Sequence, residues 1–275
     1  MVIKKIIFFA PEGAHMTSYR TVTVVLTCAV LAATATGCLE GGDGGDRTAG
    51  RAGNPEDGKK GVDLRKIRGD IKTSKTVYTV DGGTVSLSVD TFGGDISVVA
   101  GPGDSKAVKV TEIYRWTKKK PWGEHSLKDG QLTLKAHDCG SGSSTCDLGY
   151  QVVLPPRTAL NLLTSGGNVS VRETSGTVRA TTRGGDIAVR RVRAQDVVAH
   201  TGGGAVVVDL LAPPRRVDVT GDGGDITIGL PDGKYAVDAA SGGGDTRVTV
   251  PVDKSSAHRV RARTAGGAVT VSRAR

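Results

Sequence analysis

One short phrase of hydrophobic and polar residues recurs along the chain. It consists of a glycine pair, usually an acidic or amide residue, and then an alternation in which every second residue is apolar. The copies lie at 93–98, 166–171, 184–189, 203–208, 223–228, 243–248 and 266–271. In the third copy the alternation predicts that Ile187 and Val189 face inward while Ala188 and Arg190 face outward. Each copy therefore predicts a short β-strand that follows a turn.

The spacing of the copies indicates a repeat architecture. From 166 onward they follow one another after about 20 residues, which is typical of solenoid coils. Weaker alternations lie between them, for example at 177–180 and 216–219, so each coil is expected to contain at least two strands. One such coil cannot bury its own apolar stripe, and stacking is therefore required. The predicted fold is an all-β, single-stranded parallel β-helix-like β-solenoid built from ~20-residue GGD-I/V-x-V coils.

The glycine pairs are expected to turn the corners of this solenoid. Glycine is needed where stacked turns demand a positive φ or leave no room for a Cβ. The residue that follows each pair is expected to line up in a ladder along one edge and to cap its own turn. The predicted turn and ladder residues are Gly94, Asp95, Gly167, Asn168, Gly185, Asp186, Gly224, Asp225, Gly244 and Asp245.

A ladder of carboxylates would also suit calcium, which prefers oxygen ligands. Two copies carry Ala205 and Ala268 at the acidic position, and these would interrupt a row of calcium sites. The phrase also differs in spacing from the calcium-binding β-roll repeat. We therefore predict neither a metal site nor any other cofactor.

The amino terminus has the pattern of an export signal. Arg20 precedes an apolar segment at 21–33 that is too short to span a bilayer comfortably, and 35–38 read Ala-Thr-Gly-Cys, which resembles a bacterial lipobox. This predicts a lipoprotein signal peptide at 1–37, translated from Met1 or Met16, and lipid attachment at Cys38 on the outer face of the cell membrane. The alternative is an ordinary secretory signal in which Cys38 is incidental.

The segment that follows the signal predicts a tether. Residues 38–72 are rich in Gly, Asp, Arg and Lys and lack a sustained apolar period, so we expect a flexible linker. The remaining residues, 73–275, are assigned to the β-solenoid domain. Such an arrangement would hold the domain clear of the lipid headgroups.

Two cysteines lie inside the domain, separated by a stretch rich in Gly and Ser. Because the chain is expected to be exported, Cys139 and Cys146 are predicted to form a disulfide. The alternative is a metal site that adds His137 and Asp138, but the cysteine spacing differs from that of zinc sites.

Composition and charge narrow the choice of core and partner. The chain has 40 glycines but only three Phe and two Trp, so small and β-branched residues must fill the interior. Its net charge of +9 is spread along the chain without a long basic run or a stacking motif. This favours anionic partners but predicts no nucleic-acid binding.

The least typical segment of the domain holds both tryptophans around three lysines. Its residues Trp116, Lys118, Lys119, Lys120 and Trp122 are candidates for binding a ligand. The rings would stack on sugars and the lysines would pair with phosphates of an anionic envelope polymer, or the segment would rest on lipid headgroups. The alternative is a loop or cap that covers the open end of the solenoid.

No catalytic constellation is visible in the domain. Its histidines are isolated, and there is no G-x-S-x-G sequence to supply a nucleophile. We therefore predict a non-catalytic, surface-anchored module that binds or scaffolds at the bacterial envelope. Two alternatives stay open: an enzyme that acts on polysaccharides from a β-helix, and an envelope-stress accessory whose partner is a membrane protein.

The chain from about 76 to 271 resembles a bacterial family, the putative-adhesin family, also known as the domain of unknown function numbered 4097. The resemblance rests on the recurring phrase and on the segments 85–95, 152–155 and 160–167. It implies an extracytoplasmic β-solenoid with an adhesin-like role and no established reaction. Ala205 and Ala268 at the acidic position and Thr246 at the apolar one depart from the pattern.

Overall fold

The computed structural model describes residues 70–103, 105–141 and 144–274. The predicted signal peptide, Cys38 and most of the predicted linker lie outside these residues. The described residues contain no helix, which confirms the all-β class, and so none that could cross a membrane. Their strands are β1 (Lys72–Val80), β2 (Ser86–Thr91), β3 (Ile96–Ala100), β4 (Val108–Trp116), β5 (Trp122–Lys128), β6 (Gln131–His137), β7 (Cys146–Leu154), β8 (Ala159–Thr164), β9 (Val169–Arg172), β10 (Val178–Thr182), β11 (Ile187–Val192), β12 (Asp196–Thr201), β13 (Val206–Leu210), β14 (Arg216–Gly221), β15 (Ile226–Leu230), β16 (Ala236–Ser241), β17 (Thr246–Val248), β18 (Arg259–Thr264) and β19 (Val269–Arg273).

The strands lie in two sheets of mostly parallel strands. Sheet A has the order β1-β4-β7-β3-β9-β11-β13-β15-β19-β17, and sheet B has the order β16-β18-β14-β12-β10-β8-β2-β6-β5. At each glycine pair the chain crosses from sheet B to sheet A. For example, β10 and β11 form one coil, and they pair in parallel with β12 and β13 of the next. The arrangement is solenoid-like, with two strands in each of these coils.

The inward rows of the two sheets form one continuous core. As predicted, Ile187 and Val189 are buried, whereas Arg190 is exposed and Ala188 is only partly covered. Neighbouring coils repeat this pattern in register, so that Ile187 lies beside Val169 and Val206. Each fully buried aliphatic side chain contributes about 1.5–3 kcal/mol relative to its exposed state.

The order of the coils in space differs from their order in the chain. The last coil, β18–β19, lies between β14–β15 and β16–β17, so the chain passes over one position and then returns to fill it. Near the other end, β2–β3 lies between β6–β7 and β8–β9 in the same way. The repeat pattern did not predict these displacements.

The amino-terminal end of the stack is closed by antiparallel strands, which the repeat also did not predict. Strand β4 pairs antiparallel with β7, and β1 pairs antiparallel with β4, so these two strands extend sheet A. In sheet B the last strand is β5, which pairs antiparallel with β6. The strands β1 and β5 therefore form the two edges of this end.

Candidate functional site

The second glycine of each pair lies directly against the neighbouring coil. A Cβ at Gly185 would lie 2.0 Å from the carbonyl oxygen of Gly167, and a Cβ at Gly204 would lie 2.1 Å from that of Gly185. The backbone of these glycines is not left-handed, because positive φ values among the described glycines occur only at Gly82, Gly83, Gly130 and Gly140. Of the two predicted reasons for glycine, the structure therefore supports the lack of room and not a positive φ.

The residues after the glycine pairs form a ladder, but they do not cap their own turns. The Oδ1 of Asp95 accepts a hydrogen bond from the Asn168 amide at 2.7 Å, and the Oδ1 of Asn168 accepts one from the Asp186 amide at 2.8 Å. Asp186 and Asp225 accept in the same way from Ala205 and Ala268. Each of these side chains thus joins two coils.

Asp245 belongs to the last coil of the stack, beyond which the described chain has no further strand.

Among the described residues no group of three His, Cys, Asp or Glu side chains is arranged to hold a metal ion.

A buried threonine before five of the seven glycine pairs completes the corner, and the sequence reasoning missed it. The hydroxyl of Thr182 donates to the Gly167 carbonyl at 2.9 Å and accepts from the Gly185 amide at 3.1 Å. The residues in equivalent positions that donate to the neighbouring coil are Thr91, Thr164, Thr201, Ser241 and Thr264. Their constant offset from the glycine pair was the available signal.

The two cysteines are joined at the corner between β6 and β7. Their Cα atoms lie 5.9 Å apart, and the Cys139 amide donates to the Cys146 sulfur at 2.9 Å. This corner occupies the place that a glycine pair holds in the regular coils. The disulfide thus connects the end of a sheet B strand to the start of its sheet A partner.

The segment with the tryptophans and lysines connects β4 to β5 beside the disulfide. Trp116 packs against the core, and the Nζ of Lys120 lies 4.1 Å from the centre of the Tyr114 ring. Trp122 stacks on His137 with ring centres 3.7 Å apart and remains 52% exposed. Lys118 and Lys119 are exposed. The segment therefore covers the end of the core with one tryptophan and presents the other to solvent.

The histidines of the domain each contact a different partner. His125 stacks on Tyr78, and the Nδ1 of His200 lies 2.9 Å from the Thr220 hydroxyl. The Nδ1 of His258 lies 2.7 Å from the Pro214 carbonyl oxygen. Of these three histidines, only His200 contacts a hydroxyl group of a side chain.

The solved structures that are similar to this chain include two from bacteria of different genera. A putative cell adhesion protein from Clostridium sporogenes is 15% identical, with a TM-score of 0.42, over 74% of this chain and 100% of that one. A putative adhesin from Bacteroides fragilis is 12% identical, with a TM-score of 0.43, over 74% of this chain and 97% of that one. These similarities are too slight to indicate what the chain binds. No protein-family model and no curated protein matches the chain.

Proposed function

We propose that this protein is a bacterial cell-surface lipoprotein whose non-catalytic β-solenoid binds an anionic envelope polymer. Cys38 would carry the lipid on the outer face of the cell membrane, and the segment up to 72 would serve as the tether. The observation that carries the proposal is the exposure of Trp122 together with that of Lys118 and Lys119 in the short connection that leads to it.

The surroundings of Trp122 suit a polymer of sugars and phosphates. The stacked imidazole of His137 holds the indole ring on one side, and the ring keeps half of its surface open to solvent. An open aromatic face stacks on a sugar ring, while nearby ammonium groups pair with phosphate. The connection that carries the lysines is fixed at both ends by the pairing of β4 and β5.

The test is binding of residues 39–275 to an isolated anionic cell-wall polymer, followed by tryptophan fluorescence. We expect saturable binding that weakens with salt, because exposed charges are screened at ionic strengths above about 0.1 M. The variant Lys118→Glu/Lys119→Glu should bind at least about tenfold more weakly, since two attractive contacts become repulsive.

The matched control is Lys106→Glu/Lys109→Glu, which makes the same charge change at the opposite end of β4. If both double variants weaken binding equally, the effect is one of net charge and the proposed site is wrong. Binding to anionic lipid vesicles but not to the polymer would instead favour a membrane surface. Binding to neither would favour a protein partner in the envelope.

A further inference from the structure

A cleft opens at the amino-terminal end of the stack, between the edge strands β1 and β5. It has a volume of about 530 Å³, within the range of small-molecule sites. The sides are formed by the two strands, which face each other without pairing. Its lining includes Tyr78, Asp81, Glu112, Gly123, His125 and Leu127.

A buried carboxylate lies in this cleft. Glu112 is only 5% exposed, because it belongs to the inward row of β4. Its Oε1 accepts a hydrogen bond from the Tyr78 hydroxyl at 3.0 Å, and its Oε2 accepts one from the Tyr114 hydroxyl. Burial and the nearby Glu112 raise the pKa of both tyrosines well above the ordinary value, so both remain donors.

The carboxylate has hydrogen-bond donors but no counter-charge. Among the described residues, no Lys, Arg or His side chain forms an ion pair with Glu112. A buried charge without an opposite charge is costly, and two tyrosine hydroxyls offset only part of the lost hydration. The open space beside it would admit a cation.

A buried hydroxyl near this carboxylate lacks a hydrogen-bond partner. The Tyr150 hydroxyl is buried and makes no hydrogen bond with any described residue. A Cβ at Gly123 would lie 3.2 Å from both this hydroxyl and the Oε1 of Glu112. Glu112 and Gly123 line the cleft, whereas the Tyr150 hydroxyl lies close to Gly123 but outside this lining.

We propose that this cleft binds the primary ammonium group of a small organic cation. The ammonium donates to Glu112, and its alkyl part lies against Leu127 and the Tyr78 ring, which is stacked on His125 with ring centres 4.6 Å apart. Aromatic rings attract cations through their faces, and Asp81 adds negative charge to the lining. An ammonium fits better than a metal ion, which needs several carboxylate or imidazole ligands.

This site goes beyond the proposed function and is independent of it. The segment with Lys118 and Lys119 selects anions by positive charge, whereas the cleft selects cations by negative charge. If binding of the anionic polymer is not observed, binding of the cation in the cleft can still be tested, and the reverse also holds. The two results can be told apart because the two ligands have opposite charge.

The test is a titration of residues 39–275 with butylammonium chloride, followed by the amide shifts of Gly123, Ser126 and Leu127 in NMR spectra. We expect saturable shifts at these positions, and none with butanol, which has a similar size without the charge. The variant Glu112→Gln keeps the shape of the side chain and should bind butylammonium about tenfold more weakly or not at all.

The matched control is Glu124→Gln, an exposed carboxylate on the same strand as Gly123 that pairs with His137. It should bind butylammonium like the unaltered protein. In the unaltered protein, equal shifts with butanol and butylammonium overturn the proposal, and so does the absence of shifts with both. This result requires no variant. Undiminished binding by a folded Glu112→Gln variant overturns the proposal as well.

Discussion

The second glycine of each pair fixes how closely two coils approach. At Gly185 the space that a Cβ would occupy is already taken by the carbonyl of Gly167, whereas a Cβ at Gly184 would have no atom within 4 Å. Two adjacent glycines of one turn therefore have different reasons for being there. The first is a turn residue on the surface, and the second allows the backbones of two coils to touch.

We expect Gly185→Ala to lower the free energy of unfolding by about 2–4 kcal/mol, because the added methyl group must push two coils apart. Gly184→Ala should change it by no more than about 0.5 kcal/mol, since its methyl group meets open space. Urea unfolding of the two variants checks the difference. Equal losses would show that the close approach does not require glycine.

The hydroxyl group three residues before the second glycine of a pair, as in Thr182 before Gly185, is missing from one coil. In the β14–β15 coil the position of the buried threonine is taken by Gly221, where an added Cβ would make only ordinary contacts, the nearest at 3.6 Å. In the equivalent position, Ser241 donates to a carbonyl of the neighbouring coil and accepts from the amide of Gly244. Gly221 therefore leaves a gap in an otherwise repeated set of hydrogen bonds.

We expect Gly221→Ser to raise the free energy of unfolding by about 0.5–1.5 kcal/mol beyond the effect of Gly221→Ala, which adds the Cβ without the hydroxyl. Removing the hydroxyl in another coil by Thr182→Val should lower the free energy of unfolding by about 1–3 kcal/mol, because it leaves a buried carbonyl and amide without their partner. Thermal melting of the three variants measures both effects. A serine variant no more stable than the alanine variant would contradict this role of the hydroxyl.

At the scale of elements, corners of two kinds connect sheet B to sheet A. Regular coils use the glycine pair, and the coil formed by β6 and β7 uses the disulfide between Cys139 and Cys146. That coil borders the antiparallel strands β4 and β5. The covalent link thus lies where the repeat gives way to the end of the stack.

We expect the double variant Cys139→Ser/Cys146→Ser to lose about 2–3 kcal/mol of unfolding free energy, since the short loop is no longer closed in the unfolded chain. Urea unfolding with and without a reducing agent provides the measurement. The reductant should destabilise the unaltered protein and leave the double variant unchanged. A midpoint that is equal in all four conditions would show that the disulfide adds nothing.

The strands that follow the glycine pairs were predictable from local pattern, and the end of the stack was not. Ile187 and Val189 are buried as the alternation indicates, because every regular coil meets the same kind of neighbour. Glu112 occupies an inward position that the same alternation reserves for apolar residues. Its burial depends on Tyr78, which is 34 residues away and belongs to another strand. No local pattern reveals such a partner.

At the scale of the whole molecule, coils with similar sequences are stacked out of chain order. Strand β18 lies between β14 and β16, and it offers both neighbours the same alternation of buried and exposed residues. Because the repeats share one pattern, the sequence does not distinguish which coil lies beside which. The connection at 231–235, which leads from β15 to β16, is held by the buried Tyr235, whose hydroxyl donates to the Pro231 carbonyl.

This order makes the β16–β17 coil dependent on residues that follow it in the chain. Within the described residues, strand β16 pairs only with β18, and β17 pairs only with β19. We expect deletion of 253–275 to release 236–248 as well, so that their amide hydrogens exchange at rates near those of an unfolded chain. Strands β10 and β11 in the middle of the stack serve as the control and should keep their protection. Had the coils stacked in chain order, β16 would pair with β14, and hydrogen exchange at 236–248 would stay slow after the deletion.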